Sequence, residues 1–104
     1  MRVKQGVRLE NIDWNRLWPI FVHAKTIWRS HGQELVITSG TEGTHSKNSL
    51  HYRGLALDLR TRYFTEDEKH RVYLDLQRHL DYKYRVFKEP THIHVEYRPN
   101  DNIN

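Results

Sequence analysis

Two stretches of the chain place ionisable side chains where a strand ordinarily spends its positions on packing. The first runs Ser49-Leu50-His51-Tyr52-Arg53-Gly54-Leu55-Ala56-Leu57-Asp58, the second Glu89-Pro90-Thr91-His92-Ile93-His94-Val95-Glu96. Asp58 interrupts an otherwise apolar alternation. A lone carboxylate there needs a partner, because an unpaired buried charge is costly. His51 precedes it by seven residues, across a Gly54 that lets the chain bend or pack closely, and His94 projects from the centre of the second segment. Two imidazoles and one carboxylate make a sound zinc shell, with donors at ~2.0–2.2 Å and a fourth position left for water. Zinc lowers the pKa of such a water to about 7, and a nearby carboxylate can take its proton and pass it to a leaving group. The same residues admit a plainer reading, with Asp58 paired to an Arg and His92 and His94 exposed on an edge strand. Spacing alone leaves both open.

Composition narrows the setting. A chain of 104 residues supports one domain, with 1–10 and 99–104 as its periphery. The chain is 37% hydrophobic, enough for one packed core, which tells against disorder. The absence of Cys excludes disulfides, thiolate zinc sites and Cys nucleophiles, so any metal must be held by His, Asp or Glu. No apolar run approaches the ~18 residues of a membrane helix, so no membrane role is expected. The start, Met1-Arg2-Val3-Lys4-Gln5, lacks the apolar stretch of a secretory signal. The net charge of +4 suits an anionic partner, nucleic acid or an acidic wall polymer, or none in particular, and the charges are scattered like those of a solvated surface. His23, His31, His70 and His79 lie in or beside helical patterns and read as surface or helix-end residues.

The elements that must carry these side chains follow from periodicity. Residues Val3–Leu9 suggest a short edge strand. Trp14, Leu17, Trp18, Phe21, Ala24, Ile27 and Trp28 recur at helical spacing, with Asp13 as N-cap and Gly32 as stop; Pro19 either opens the main helix or kinks it. The three Trp read as a core stripe, which argues against a nucleic-acid stacking platform. Leu35–Thr38 reads as a buried strand and Ser39–Asn48 as a polar loop. Leu55–Arg60 alternates, with its leucines toward the core and Ala56, Asp58 and Arg60 facing away. Thr65-Glu66-Asp67-Glu68 is a capping box opening a helix to about Leu80 that buries Val72, Tyr73, Leu76 and Leu80. Tyr84–Lys88 and His92–Tyr97 are strands flanking a turn at Pro90. Ile93, Val95 and Tyr97 face the core, His92, His94 and Glu96 the other side, and the chain beyond Arg98 reads as a frayed tail. Helices mixed with antiparallel pairs, without a βαβ repeat, predict an α+β fold: a small antiparallel sheet flanked by helices.

The segment Ser49-x-His51-x-x-Gly54-x-Ala56-x-Asp58 resembles the signature of the M15 zinc peptidases, which include D-alanyl-D-alanine carboxypeptidases and dipeptidases and phage L-alanyl-D-glutamate endolysins. His92-Ile93-His94 resembles the His-x-His that closes the site in part of this group. The likeness runs from about Leu35 to Tyr97. Thr41-Glu42-Gly43, followed by His45-Ser46-x-x-Ser49-Leu50-His51-Tyr52, is also similar to the hedgehog signalling domain, which shares the M15-like fold and zinc site. Hedgehog carries an acidic, calcium-binding insertion after its Glu-Gly; here only Thr44 separates Gly43 from His45, so no calcium site is expected.

The resemblance implies a hedgehog/DD-peptidase-like fold and zinc held by His51, Asp58 and His94. It implies His92 as an oxyanion-stabilising or outer-sphere residue, and Glu89 as general base with Glu96 as the alternative. Many M15 enzymes place the acid three residues before the last ligand, where this chain has Thr91. The Ser-Gly-x-Arg segment of the family is Ser39-Gly40-Thr41-Glu42 here, without its Arg. Substrate contacts then fall to His45, Ser49 and Arg53, with His45, Arg53 or His92 in place of that Arg; His45 is equally well a loop residue bonded to backbone. The implied activity is hydrolysis of a peptide bond in peptidoglycan stem peptides by a monomeric metallopeptidase, of a kind phages make in the host cytoplasm. The alternative is a zinc-containing interaction module without turnover.

Overall fold

The structure is a computed structural model, and it describes residues 1–42 and 49–99. The expectations for His45, for the far part of the 39–48 loop and for the tail 100–104 lie outside the described residues.

Helix α1 spans Trp14–Ser30 and runs unbroken through Pro19. The Asp13 side chain accepts from the Arg16 N–H and caps it. Pro19 removes only the hydrogen bond to Asn15, next to the first turn, where carbonyl partners are easily replaced by water. Strands β1 (Arg2–Val3), β2 (Val36–Ser39) and β3 (Ala56–Arg60) precede helix α2 (Glu66–His79), and β4 (Tyr84–Lys88) and β5 (His92–Tyr97) follow it. The capping box forms as its sequence predicts, with Thr65 and Glu68 bonding each other's backbone N–H groups.

The fold is α+β. The five strands lie in the order β1-β2-β3-β5-β4. All pairs are antiparallel except β1 with β2, which is parallel, so the sheet is mixed rather than purely antiparallel. The first strand is also shorter than the alternation Val3–Leu9 suggests. Gly6 adopts φ +90°, Val7 N–H bonds back to Lys4 O, and the chain turns off the sheet edge. Val7 and Leu9 instead pack from that turn onto the core.

Both helices cover one face of the sheet. Leu17, Ile20, Ala24 and Trp28 of α1 and Val72 and Leu76 of α2 share a single apolar cluster with Ile37, Leu57, Leu59, Val86, Ile93 and Val95 of the strands. The expected three-Trp core stripe is corrected. Trp28 is fully buried and its indole N–H donates to Arg60 O at 2.9 Å, but Trp14 and Trp18 are 48% and 54% exposed. Trp18 lies one residue, hence about 100° of helix rotation, beyond Leu17 and leaves the buried arc. Their burial therefore gives no argument about stacking partners. Tyr73 packs at the edge of the cluster, half-buried. The alternation in β3 and β5 leaves Asp58, His94 and Glu96 on the face that the helices do not cover.

Candidate metal centre

Asp58 and His94 face each other because of register. In the β3–β5 ladder, Ala56, Asp58 and Arg60 stand opposite Glu96, His94 and His92. Side chains directly opposite on one face of an antiparallel pair come within contact distance. His51 arrives from the turn before β3. Its N–H is held by Ser49 Oγ at 3.2 Å. Gly54 closes the turn at φ +71°, where a Cβ would lie 2.2 Å from Asn11 O. Only glycine lets the segment pack this closely and bring His51 over the sheet.

The three side chains converge. His94 Nδ1 is 3.0 Å from Asp58 Oδ1, His51 Nε2 is 3.2 Å from the same oxygen, and the two ring nitrogens are 3.2 Å apart. Donors held tetrahedrally at ~2.0–2.1 Å from one ion stand roughly 3.3 Å from each other. Side-chain exposures of 4% for His51, 13% for Asp58 and 19% for His94 leave the cluster sheltered but reachable.

The outer contacts decide which nitrogen faces inward. Gly40 O accepts from His51 Nδ1–H at 2.9 Å, so in the neutral ring Nε2 carries the lone pair. Glu96 Oε1 accepts from His94 Nε2–H at 2.7 Å, which leaves Nδ1 as the inward donor. Glu96 is itself fixed by Arg98 Nε at 2.8 Å. Metal-bound histidines are oriented by such carbonyl and carboxylate partners. Two lone pairs and a carboxylate aimed at one point repel unless a cation stands there, so the residues fit a metal ion.

With no ion bound, a proton answers the same need. Burial alone pushes the Asp58 carboxyl up, but its polar contacts with the His51 and His94 rings and the nearby His92 outweigh it and hold Asp58 well below the usual carboxylate range. Burial alone pushes His94 down, but its bonds to Asp58 and Glu96 reverse this, and His94 is pushed up to about 9.

An open concavity of about 480 Å³ lies over the cluster, and Ser49, Phe87, Glu89, His92 and Glu96 line it together with the three donors. His92 Nε2 is 3.7 Å from Asp58 Oδ2, beside the cluster rather than in it. Glu89 sits on the β4–β5 turn, which Lys69 holds from α2: its buried ammonium donates to Glu89 O at 3.1 Å and Pro90 O at 3.3 Å. Arg53 is exposed in the turn after His51 and lies outside that lining. Three contributors escaped the sequence reading: the Gly40 carbonyl, Lys69, and the ring-orienting role of Glu96. Only Glu96 had a signal, its position two residues from His94 on the same face.

No protein-family model matches the chain, and no curated protein matches it.

Proposed function

We propose that this chain is a zinc metallopeptidase of the M15 type, with a hedgehog/DD-peptidase-like fold, that hydrolyses a peptide bond in the stem peptides of bacterial peptidoglycan. The observation that carries the reading is the convergence of His51 Nε2, His94 Nδ1 and Asp58 Oδ1 beneath an open concavity. The Ser49–Asp58 signature and the His92-Ile93-His94 segment support the class. A zinc ion in that position supplies Lewis acidity toward a carbonyl and acidifies water.

The chain's own residues do the rest. The Glu89 carboxylate on the concavity wall takes a proton from the attacking water and returns it to the leaving amine. Glu96 is a poorer base, because one oxygen is engaged by His94 and the other by Arg98. His92, beside Asp58, donates to the oxygen that gains charge as the carbonyl is attacked. Ser49 lines the floor for the peptide, and the net charge of +4 favours approach to an anionic wall.

The test is metal analysis of untagged protein together with incubation on purified peptidoglycan, with and without chelator. Bound zinc and chelator-sensitive release of amines are expected. Glu89→Ala should keep the zinc and abolish release; full activity in that variant removes Glu89 as base. Two observations favour a non-catalytic zinc module instead: among the described residues the Glu89 carboxylate has no hydrogen bond to hold it on the site, and Thr91 stands three residues before His94. Zinc without amine release, with or without chelator, selects the module.

A further inference from the structure

We propose that Glu42 is a positioning residue for the metal centre: by tying the chain at Arg8 to the turn at Gly40, its carboxylate fixes the carbonyl that sets the His51 tautomer. The inference rests on the metal-centre reading above and adds to it a residue that touches none of the donors.

The peptide group between Gly40 and Thr41 links the N-terminal segment to His51. That group is planar and trans, so its C=O and N–H point in opposite directions. Thr41 N–H donates to Arg8 O at 3.0 Å. The Gly40 carbonyl is thereby aimed away from the N-terminal segment, and there it accepts from His51 Nδ1–H at 2.9 Å. The direction of the Gly40 carbonyl is thus set by where the Arg8 backbone stands. Glu42 holds that backbone in place. Its Oε1 accepts from Arg8 N–H at 2.9 Å and from Gly40 N–H at 2.7 Å, and its Oε2 accepts from Ser39 Oγ at 2.8 Å. One carboxylate therefore joins two chain segments more than thirty residues apart, at the peptide whose carbonyl orients a metal donor.

The packing leaves no slack at this joint. A Cβ at position 40 would lie 2.2 Å from Arg8 O, so the two backbones are in direct contact. Burial pushes the Glu42 carboxyl up, but the N–H groups of Arg8 and Gly40 and the Ser39 hydroxyl more than offset it, so Glu42 is held below the usual carboxylate range and is ionised at neutral pH. A charged acceptor makes stronger hydrogen bonds to backbone N–H than a neutral one. Without it, the Gly40 carbonyl can swing, His51 can place its proton on Nε2, and the lone pair that should meet the ion is lost.

The experiment compares Glu42→Ala and Glu42→Gln with the unaltered chain. Zinc affinity is read by chelator competition, and the His51 tautomer by nitrogen-15 NMR of the metal-free protein. Outer-sphere partners of metal ligands are typically worth about 10–100-fold in affinity. Glu42→Ala is expected to weaken zinc binding by roughly tenfold or more and to lose the Nδ1–H signal of His51. Glu42→Gln keeps an oxygen for the two N–H groups and is expected to stay within about threefold, because the tautomer survives. A Glu42→Ala protein with unaltered zinc affinity and an intact Nδ1–H overturns the proposal. If Glu42→Ala does not fold, Glu42→Asp, one methylene too short to reach both N–H groups, carries the same expectation and the same refutation. An unaltered chain that binds no zinc refutes the metal centre, and the NMR comparison then still decides the role of Glu42.

Discussion

At the residue scale Asp58 and His94, two of the three converging side chains, were legible because each is chemically out of place in its segment. Asp58 breaks an apolar alternation, and His94 occupies the middle of a strand. Their outer partners were not legible, since a backbone carbonyl such as that of Gly40 carries no side-chain signature. The balance between Asp58 and His94 has a consequence in pH. In metal-free protein His94 titrates at about 9, above its ordinary value of about 6.5, so its contribution to stability is complete below ~6.5 and is lost as pH rises through about 9. Asp58 has the opposite sign: its contribution is complete above ~4 and fades as pH falls below that. Metal-free protein should therefore be most stable between about pH 4 and 6.5, as chemical denaturation across pH will show. Zinc must displace the His94 proton, so affinity should climb about tenfold per pH unit up to about 9 and then level off. A flat affinity between about pH 6 and 8 refutes the coupling. Asp58→Asn removes the anionic donor and should weaken zinc by more than about 100-fold, beyond what an outer-sphere change does.

At the element scale periodicity placed the helices and four of the strands to within a residue or two. It did so where caps and alternation agree, as at Thr65–Glu68 and along β5. It failed where one residue overrides a pattern. Gly6 ends β1 after Val3 despite Val7 and Leu9, because a positive φ cannot continue a strand. It also misjudged the width of the buried arc on α1, since spacing gives the period of a helix but not how far its partner sheet reaches round it. The three indoles make this measurable. Trp28→Ala should cost about 3–5 kcal/mol in urea denaturation, from the cavity in the core and the lost bond to Arg60 O. Trp18→Ala should cost under about 1 kcal/mol, because a half-exposed side chain leaves no cavity. Equal costs would mean that α1 is rotated on the sheet from the position described.

At the scale of the whole molecule the sheet separates two tasks. One face and both helices form the apolar cluster, and the other face carries the donors. The strand order that achieves this could not be read from the chain, because β3 and β5 are neighbours in the sheet with α2 and β4 between them in sequence. Periodicity is a local signal, whereas strand order depends on which apolar faces can be covered together. The separation predicts how metal and stability are linked. Small zinc domains lack a core and unfold when the ion is removed. Here Trp28, Leu57, Leu59, Ile93 and Val95 are buried away from the donors, and in metal-free protein the Asp58–His94 ion pair answers the charge on the site face. Chelated protein should therefore keep its secondary structure by circular dichroism and unfold in one cooperative transition. Zinc should then raise the unfolding free energy in proportion to the logarithm of its concentration, by about 2.7 kcal/mol at a hundred times its dissociation constant. Loss of secondary structure on chelation would show that the ion holds the two faces together, and that the helix-side cluster is too small to stand alone.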